Sequence, residues 1–153
     1  MKQHEQAVLF LKKAAEDEAL LDVVLNSQDV TDSIVDFHCQ QAAEKASKAL
    51  LALHGQDIPF KHDIGLLLEK LEKYEKGLIG FEVAAESLTI FATEYRYPNP
   101  NAKPLTQDIV DKTVLDADSI VSKATSLILH PSKKNGGCED GSGGGLAGAP
   151  PRP

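Results

Sequence analysis

The chain has 153 residues, 42% of them hydrophobic and 25% charged, which provides for one domain with one packed core and excludes a second independent domain, wholesale disorder or a fibrous repeat. The formal net charge is −7, and residues 131–153 carry three basic against two acidic side chains, which leaves −8 for residues 1–130. A surface that acidic repels polyphosphate over most of its area, so unspecific coating of nucleic acid is excluded and any phosphate contact has to be local.

The only cysteines, Cys39 and Cys138, support neither a disulfide framework nor a paired-cysteine zinc site, and a reducing cytoplasmic setting is the simpler expectation. The first residues lack the apolar run of a signal segment. Nothing approaches the roughly 20 apolar residues needed to span a bilayer, so no membrane association is expected.

Taken in chain order, residues 3–26 place Val8, Leu11, Ala15, Glu18 or Ala19, Leu21 or Asp22, and Leu25 at steps of three and four, the period of a helix with one apolar side. The stretch 26–29 breaks this helix, and Thr31 or Asp32 is suited to cap the next, which runs to about His54. Gly55 follows where a left-handed cap is wanted, and Pro59 cannot continue a helix. A third helix, from His62 or Asp63 to about Tyr74, buries Ile64, Leu67, Leu68 and Leu71. Phe81, Ala84, Ala85 and Leu88 outline a fourth that must stop before Pro98. Thr106 caps a fifth, with Asp108 in its first turn and Ile109, Val110, Val114, Ala117, Ile120, Val121, Ala124 and Ile128 on its buried side, ending near His130. From Asn135 onward the glycine- and proline-rich sequence has almost nothing apolar to bury. The expected organisation is an all-α, antiparallel up-and-down bundle of about five helices over residues 1–130, followed by a disordered tail over 131–153.

Helix two is the least generic segment. Gln41, Glu44, Lys45 and Lys48 fall on one side of it, while Ala42, Ala43, Ala46 and Ala49 leave room for another helix to approach closely. The stripe reads either as a solvated face of ion-pair neighbours or as a place where Lys45 and Lys48 meet phosphate. His38, one turn from Gln41, reads as a hydrogen-bonded structural histidine. His62, at the head of helix three, sits where free N–H groups favour an anion; its plainer role is a cap beside Asp63. His4, His54 and His130 show no interpretable spacing.

Phe37 and His38 ahead of a paired glutamine, then Ala42-Ala43-Glu44-Lys45, Lys48, the leucine run, and Lys61-His62-Asp63-Ile64 resemble the HEPN family, named for higher eukaryotes and prokaryotes nucleotide-binding. The loop Tyr95-Arg96-Tyr97-Pro98 also looks like the family's corresponding loop, and the resemblance spans about residues 5–130. It implies a helical domain that pairs with a second copy as a homodimer, a groove for nucleotide or RNA phosphate, and a small nucleotidyltransferase as partner in a two-component, toxin–antitoxin arrangement. Members that cleave RNA carry an arginine followed within about four to six residues by a histidine that serves general acid–base catalysis. Here the next histidine after Arg96 is His130, so that pair is absent and catalysis is left undetermined.

Arg96 suits bidentate phosphate binding and Tyr95 or Tyr97 base stacking, against the plainer role for Arg96 of tying the loop to an acidic neighbour. The expected ligand-binding residues are therefore Arg96, Tyr97, Lys45, Lys48, Gln41 and His62. No cofactor or metal is implied: the Glu-x-x-His pairs of di-iron bundles, a Walker loop, a nucleotide-binding glycine fingerprint and a nucleophile elbow are all missing. The competing readings are a helical dimerisation or protein-interaction module without nucleotide binding, and a ribonuclease toxin with a non-standard site.

Overall fold

The structure is a computed structural model that describes residues 2–76, 88, 100–101 and 104–131. Within them lie four helices, α1 (Lys2–Val24), α2 (Asp32–Leu53), α3 (Ile64–Leu71) and α4 (Gln107–Leu129), and the described residues contain no strand. The helix expected over 81–97 lies outside the described residues apart from Leu88, which is helical and fully buried. The tail expected to be disordered also lies outside them, beyond Pro131.

The all-α architecture is that of an up-and-down bundle, with α2 at its centre packed against α1, α3 and α4. Two end-to-end contacts fix the directions. The start of α1 meets the end of α4, where His4 Nε2 lies 3.4 Å from the Ile128 carbonyl, and it also meets the end of α2, where the Gln3 side chain lies against Gly55. Helix α1 therefore runs antiparallel to both neighbours.

The alanines of α2 behave as their size dictates. Ala42, Ala43, Ala46 and Ala49 are fully buried, with Leu50, Leu51, Ile64, Leu67, Leu71, Leu88, Ile120 and Ile128 completing the core. Each of those larger side chains contributes on the order of 1.5–3 kcal/mol through removal from water.

The helix ends follow elementary capping chemistry with one exception. Asp63 caps α3, its Oδ1 accepting from Leu66 N at 3.1 Å, and Thr106 caps α4, its Oγ1 accepting from Ile109 N at 3.3 Å. At α2 the N-cap is Thr31, but its hydroxyl pairs with that of Ser33 at 3.1 Å and makes no cap bond. Gly55 adopts φ +65, the left-handed conformation that closes α2.

Two apolar assignments and one helix end shift. The buried stripe of α1 is Ala7, Leu11, Ala14, Asp17 and Leu21, so Ala15 and Ala19 face water and Leu25 is exposed. Ile109, in the first turn of α4, is 40% exposed, because the stripe that contacts α2 starts at Val110. Helix α3 ends at Leu71 and gives way to turns at Tyr74 and Glu75, both of which donate to the Leu71 carbonyl.

Candidate functional site

The polar residues of α2 do not form a solvated face; they enter two buried constellations. The first joins α1 to α2. Asp17, buried on α1, accepts from Lys45 Nζ through Oδ2 at 2.6 Å and from His38 Nδ1 through Oδ1 at 3.1 Å. A buried carboxylate needs such partners, since leaving it unpaired costs several kcal/mol. His38 is thus a half-buried, hydrogen-bonded structural histidine as expected, held by Asp17.

The second constellation centres on Glu44, whose side chain is 5% exposed. Its Oε1 accepts from Lys48 Nζ at 2.6 Å, its Oε2 accepts from Gln40 Nε2 at 2.7 Å, and His62 Nδ1 lies 3.1 Å from both oxygens. Gln40 is fully buried, reaches the His62 carbonyl at 3.3 Å, and accepts from Gln41 Nε2 through Oε1 at 2.7 Å. Burial pushes the Glu44 carboxyl up, but the hydrogen bonds from Lys48, Gln40 and His62, together with the Lys48 charge, outweigh it and hold the group below its usual value.

This fixes a tautomer. An ionised Glu44 only accepts, so the proton between it and His62 belongs to Nδ1 of the imidazole. His62 Nε2 makes no hydrogen bond to any described residue, and the side chain is 62% exposed. A neutral His62 offers a lone pair at Nε2; a protonated one offers an N–H. Of the three Lys48 protons, one is used by Glu44.

The structure therefore brings together Gln41, Lys48 and His62 around Glu44, and directs Lys45 to Asp17 on α1 instead. Arg96 and Tyr97 lie outside the described residues. Asp63, not His62, caps α3. The sequence reading missed Glu44 and Gln40 as organising groups. The four-residue steps from Gln40 to Glu44 and from Glu44 to Lys48 are the signals that point to them.

Helices α1 and α2 also carry carboxyl groups that are withdrawn from water without a cation. Asp36 is 0% exposed and neither of its oxygens has a hydrogen-bond partner; burial, and then the Asp32 charge, push it up to about 7. Burial, then the hydrogen bond and charge of Asp118, then the charge of Asp22, push Glu18 up to about 8. Buried Cys39 is held well above the ordinary thiol value by burial and by Asp36, Glu18 and Asp118, which makes it a poor nucleophile. No group of three or more metal-ligating side chains forms among the described residues, and none of their helices is long and apolar enough to cross a membrane.

An antiparallel helical bundle with a Gln-Gln-Ala-Ala-Glu-Lys central helix and a histidine-led third helix defines a class, and comparison with known proteins identifies it. The family model described as HEPN domain matches residues 7–128, and the chain belongs to the HEPN domain family. A curated relative from Methanocaldococcus jannaschii, named "Putative toxin MJ1304", is 31% identical over 130 residues, covering 80% of this chain and 83% of the relative. Among solved structures, the crystal structure of TT1696 from Thermus thermophilus matches with a TM-score of 0.58 and 26% identity, covering 84% of this chain and 95% of that one.

Proposed function

We propose that this HEPN protein is a nucleotide- or RNA-associated binding module that takes phosphate at the Glu44 constellation. The observation that carries the reading is the position of His62: a buried carboxylate that also binds Lys48 holds its ring through Nδ1, the side chain is 62% exposed, and Lys61 precedes it in the chain. Glu44 and Lys48 cancel in charge, so the surplus positive charge comes from Lys61 and from His62 when protonated. Lys45, neutralised by Asp17, contributes a remaining N–H on the α1 side; Gln41 adds an amide, Arg96 a bidentate phosphate contact and Tyr97 a stacking face.

The module works as a homodimer, with a small nucleotidyltransferase as partner protein and a cytoplasmic setting. The relative named as a toxin supports a two-component toxin–antitoxin role for this chain. The competing reading is an interaction module whose apolar surface pairs protomers and whose polar constellations only stabilise the bundle.

Thermal unfolding with and without a panel of nucleotides and short RNAs separates the two. A ligand held only by the folded state adds about 2.7 kcal/mol at 100 times its dissociation constant. A rise in Tm that Lys48→Ala and Arg96→Ala abolish supports the binding module; no rise with any ligand supports the interaction module.

A further inference from the structure

Between α2 and α3 the chain runs through a loop that is tied at both ends. At its start Gly55 N and Gln56 N donate to Ala52 O and Leu51 O, and Ile58 packs partly against the core. At its end the His62 carbonyl accepts from Gln40, the His62 ring is held by Glu44, and Asp63 caps α3. Between these ties stand Pro59, whose ring fixes the backbone, and Phe60, which is 100% exposed. A phenylalanine presented wholly to water forgoes the gain of burial.

We infer that Phe60 is a stacking platform for an unpaired base of a single-stranded nucleic acid whose neighbouring phosphate is met by Lys61 and His62. The inference rests on the phosphate-binding reading above and adds to it the ligand class, a nucleic-acid strand with at least one base free of its own stack. Charge and composition favour this occupant over a protein partner. A protein hot spot surrounds its aromatic anchor with apolar contacts. Phe60 has Lys61 and His62 immediately after it, and Lys61 makes no ion pair with any described residue. An aromatic face followed by cationic groups is the combination that holds a strand through base stacking and backbone charge.

The test is fluorescence anisotropy with a labelled short oligoadenylate and with an abasic ribose–phosphate chain of equal length. It is run on the wild-type chain, Phe60→Ala, Phe60→Leu and Phe60→Trp, with sedimentation on each. Because Phe60 packs against nothing, all four proteins keep the same unfolding temperature. Phe60→Ala and Phe60→Leu weaken oligoadenylate binding about tenfold, Phe60→Trp retains it, and the abasic chain binds every protein alike.

Wild-type binding that Phe60→Ala or Phe60→Leu leaves intact overturns the stacking role and leaves the phosphate site standing. Equal wild-type affinity for the abasic chain and the oligoadenylate does the same. A wild-type mass that falls in Phe60→Ala reassigns the residue to the contact between copies. A wild-type protein that binds neither probe overturns both this inference and the reading on which it rests.

Discussion

Asp36→Asn should make the protein more stable in mild alkali and less steeply dependent on pH than the wild type. The carboxyl of Asp36 is completely buried, has no hydrogen-bond partner, and is pushed from 3.8 to about 7 by burial and then by Asp32. Since the folded value lies above the unfolded one, its stabilising contribution is fully present below about pH 4 and is lost as the pH rises toward 7. A shift of about three units corresponds to a ceiling of about 4 kcal/mol, at 1.36 kcal/mol per unit. Asparagine carries no charge to desolvate, but it still buries an amide without a partner, which costs about 1–3 kcal/mol. The net gain at pH 8 is therefore about 1–3 kcal/mol, shrinking to nothing or reversing at pH 5. Urea unfolding of both proteins at pH 5, 6, 7 and 8 measures this, with the slope m confirming an unchanged unfolding transition. A decline from about pH 4.5 up through 8 is expected in both, from Glu18, which is pushed up to about 8, so the Asp36 effect is read as the difference between the two curves. Parallel curves for wild type and variant would refute the reasoning, because they would mean that Asp36 is ionised in the folded state at no cost.

Glu44→Gln should destabilise the bundle by about 1–3 kcal/mol near neutral pH, since Lys48 loses its buried counter-charge and one of the two oxygens that accept from Lys48, Gln40 and His62 becomes an NH2 that cannot accept, and urea unfolding reads the loss. The wild-type Glu44 carboxyl is held below its usual value, so its contribution is present above about pH 4.5 and is lost on acidification; the variant lacks that acid-side loss. Asp63→Ala and Thr106→Ala each remove a cap bond and cost about 1 kcal/mol, whereas Thr31→Ala, whose hydroxyl caps nothing, costs a few tenths by the same assay. Gly55→Ala should cost about 1–2 kcal/mol, because φ +65 strains an L residue and the added methyl collides with the Gln3 side chain. Part of that cost returns in the Gln3→Ala, Gly55→Ala double variant, where only the strain is left.

The helices were legible because period and punctuation agree: Thr106, Asp63 and Gly55 stand where capping chemistry needs them, and leucines recur every three or four residues in α3. The register of α1 was less so. Alanines at 7, 14, 15 and 19 offer two nearly equal apolar sides, and the true one contains Asp17, which a pattern of apolar residues counts against it. What rescues Asp17 is Lys45 and His38, 28 and 21 residues further on, and no local period carries that information. The same holds for the candidate site. The Glu44 and Lys48 pair is one turn of one helix and can be seen in the sequence, but His62 lies 18 residues beyond Glu44 and is brought to it by the closure of the loop. The burial of Gln40 and Asp36 follows from the central place of α2, which is surrounded by the other helices so that even its polar positions face protein.

The central claim is that His62, oriented by Glu44, receives a phosphate at Nε2. Long-range nitrogen-15 NMR of the histidine side chains, followed during titration with a nucleoside triphosphate and with a short RNA, tests it at the atom concerned. The account predicts a saturable shift of the His62 Nε2 resonance, while His38 and His54, held by Asp17 and Glu75, stay in place. A His62 signal unmoved by either ligand at saturating concentration would contradict it.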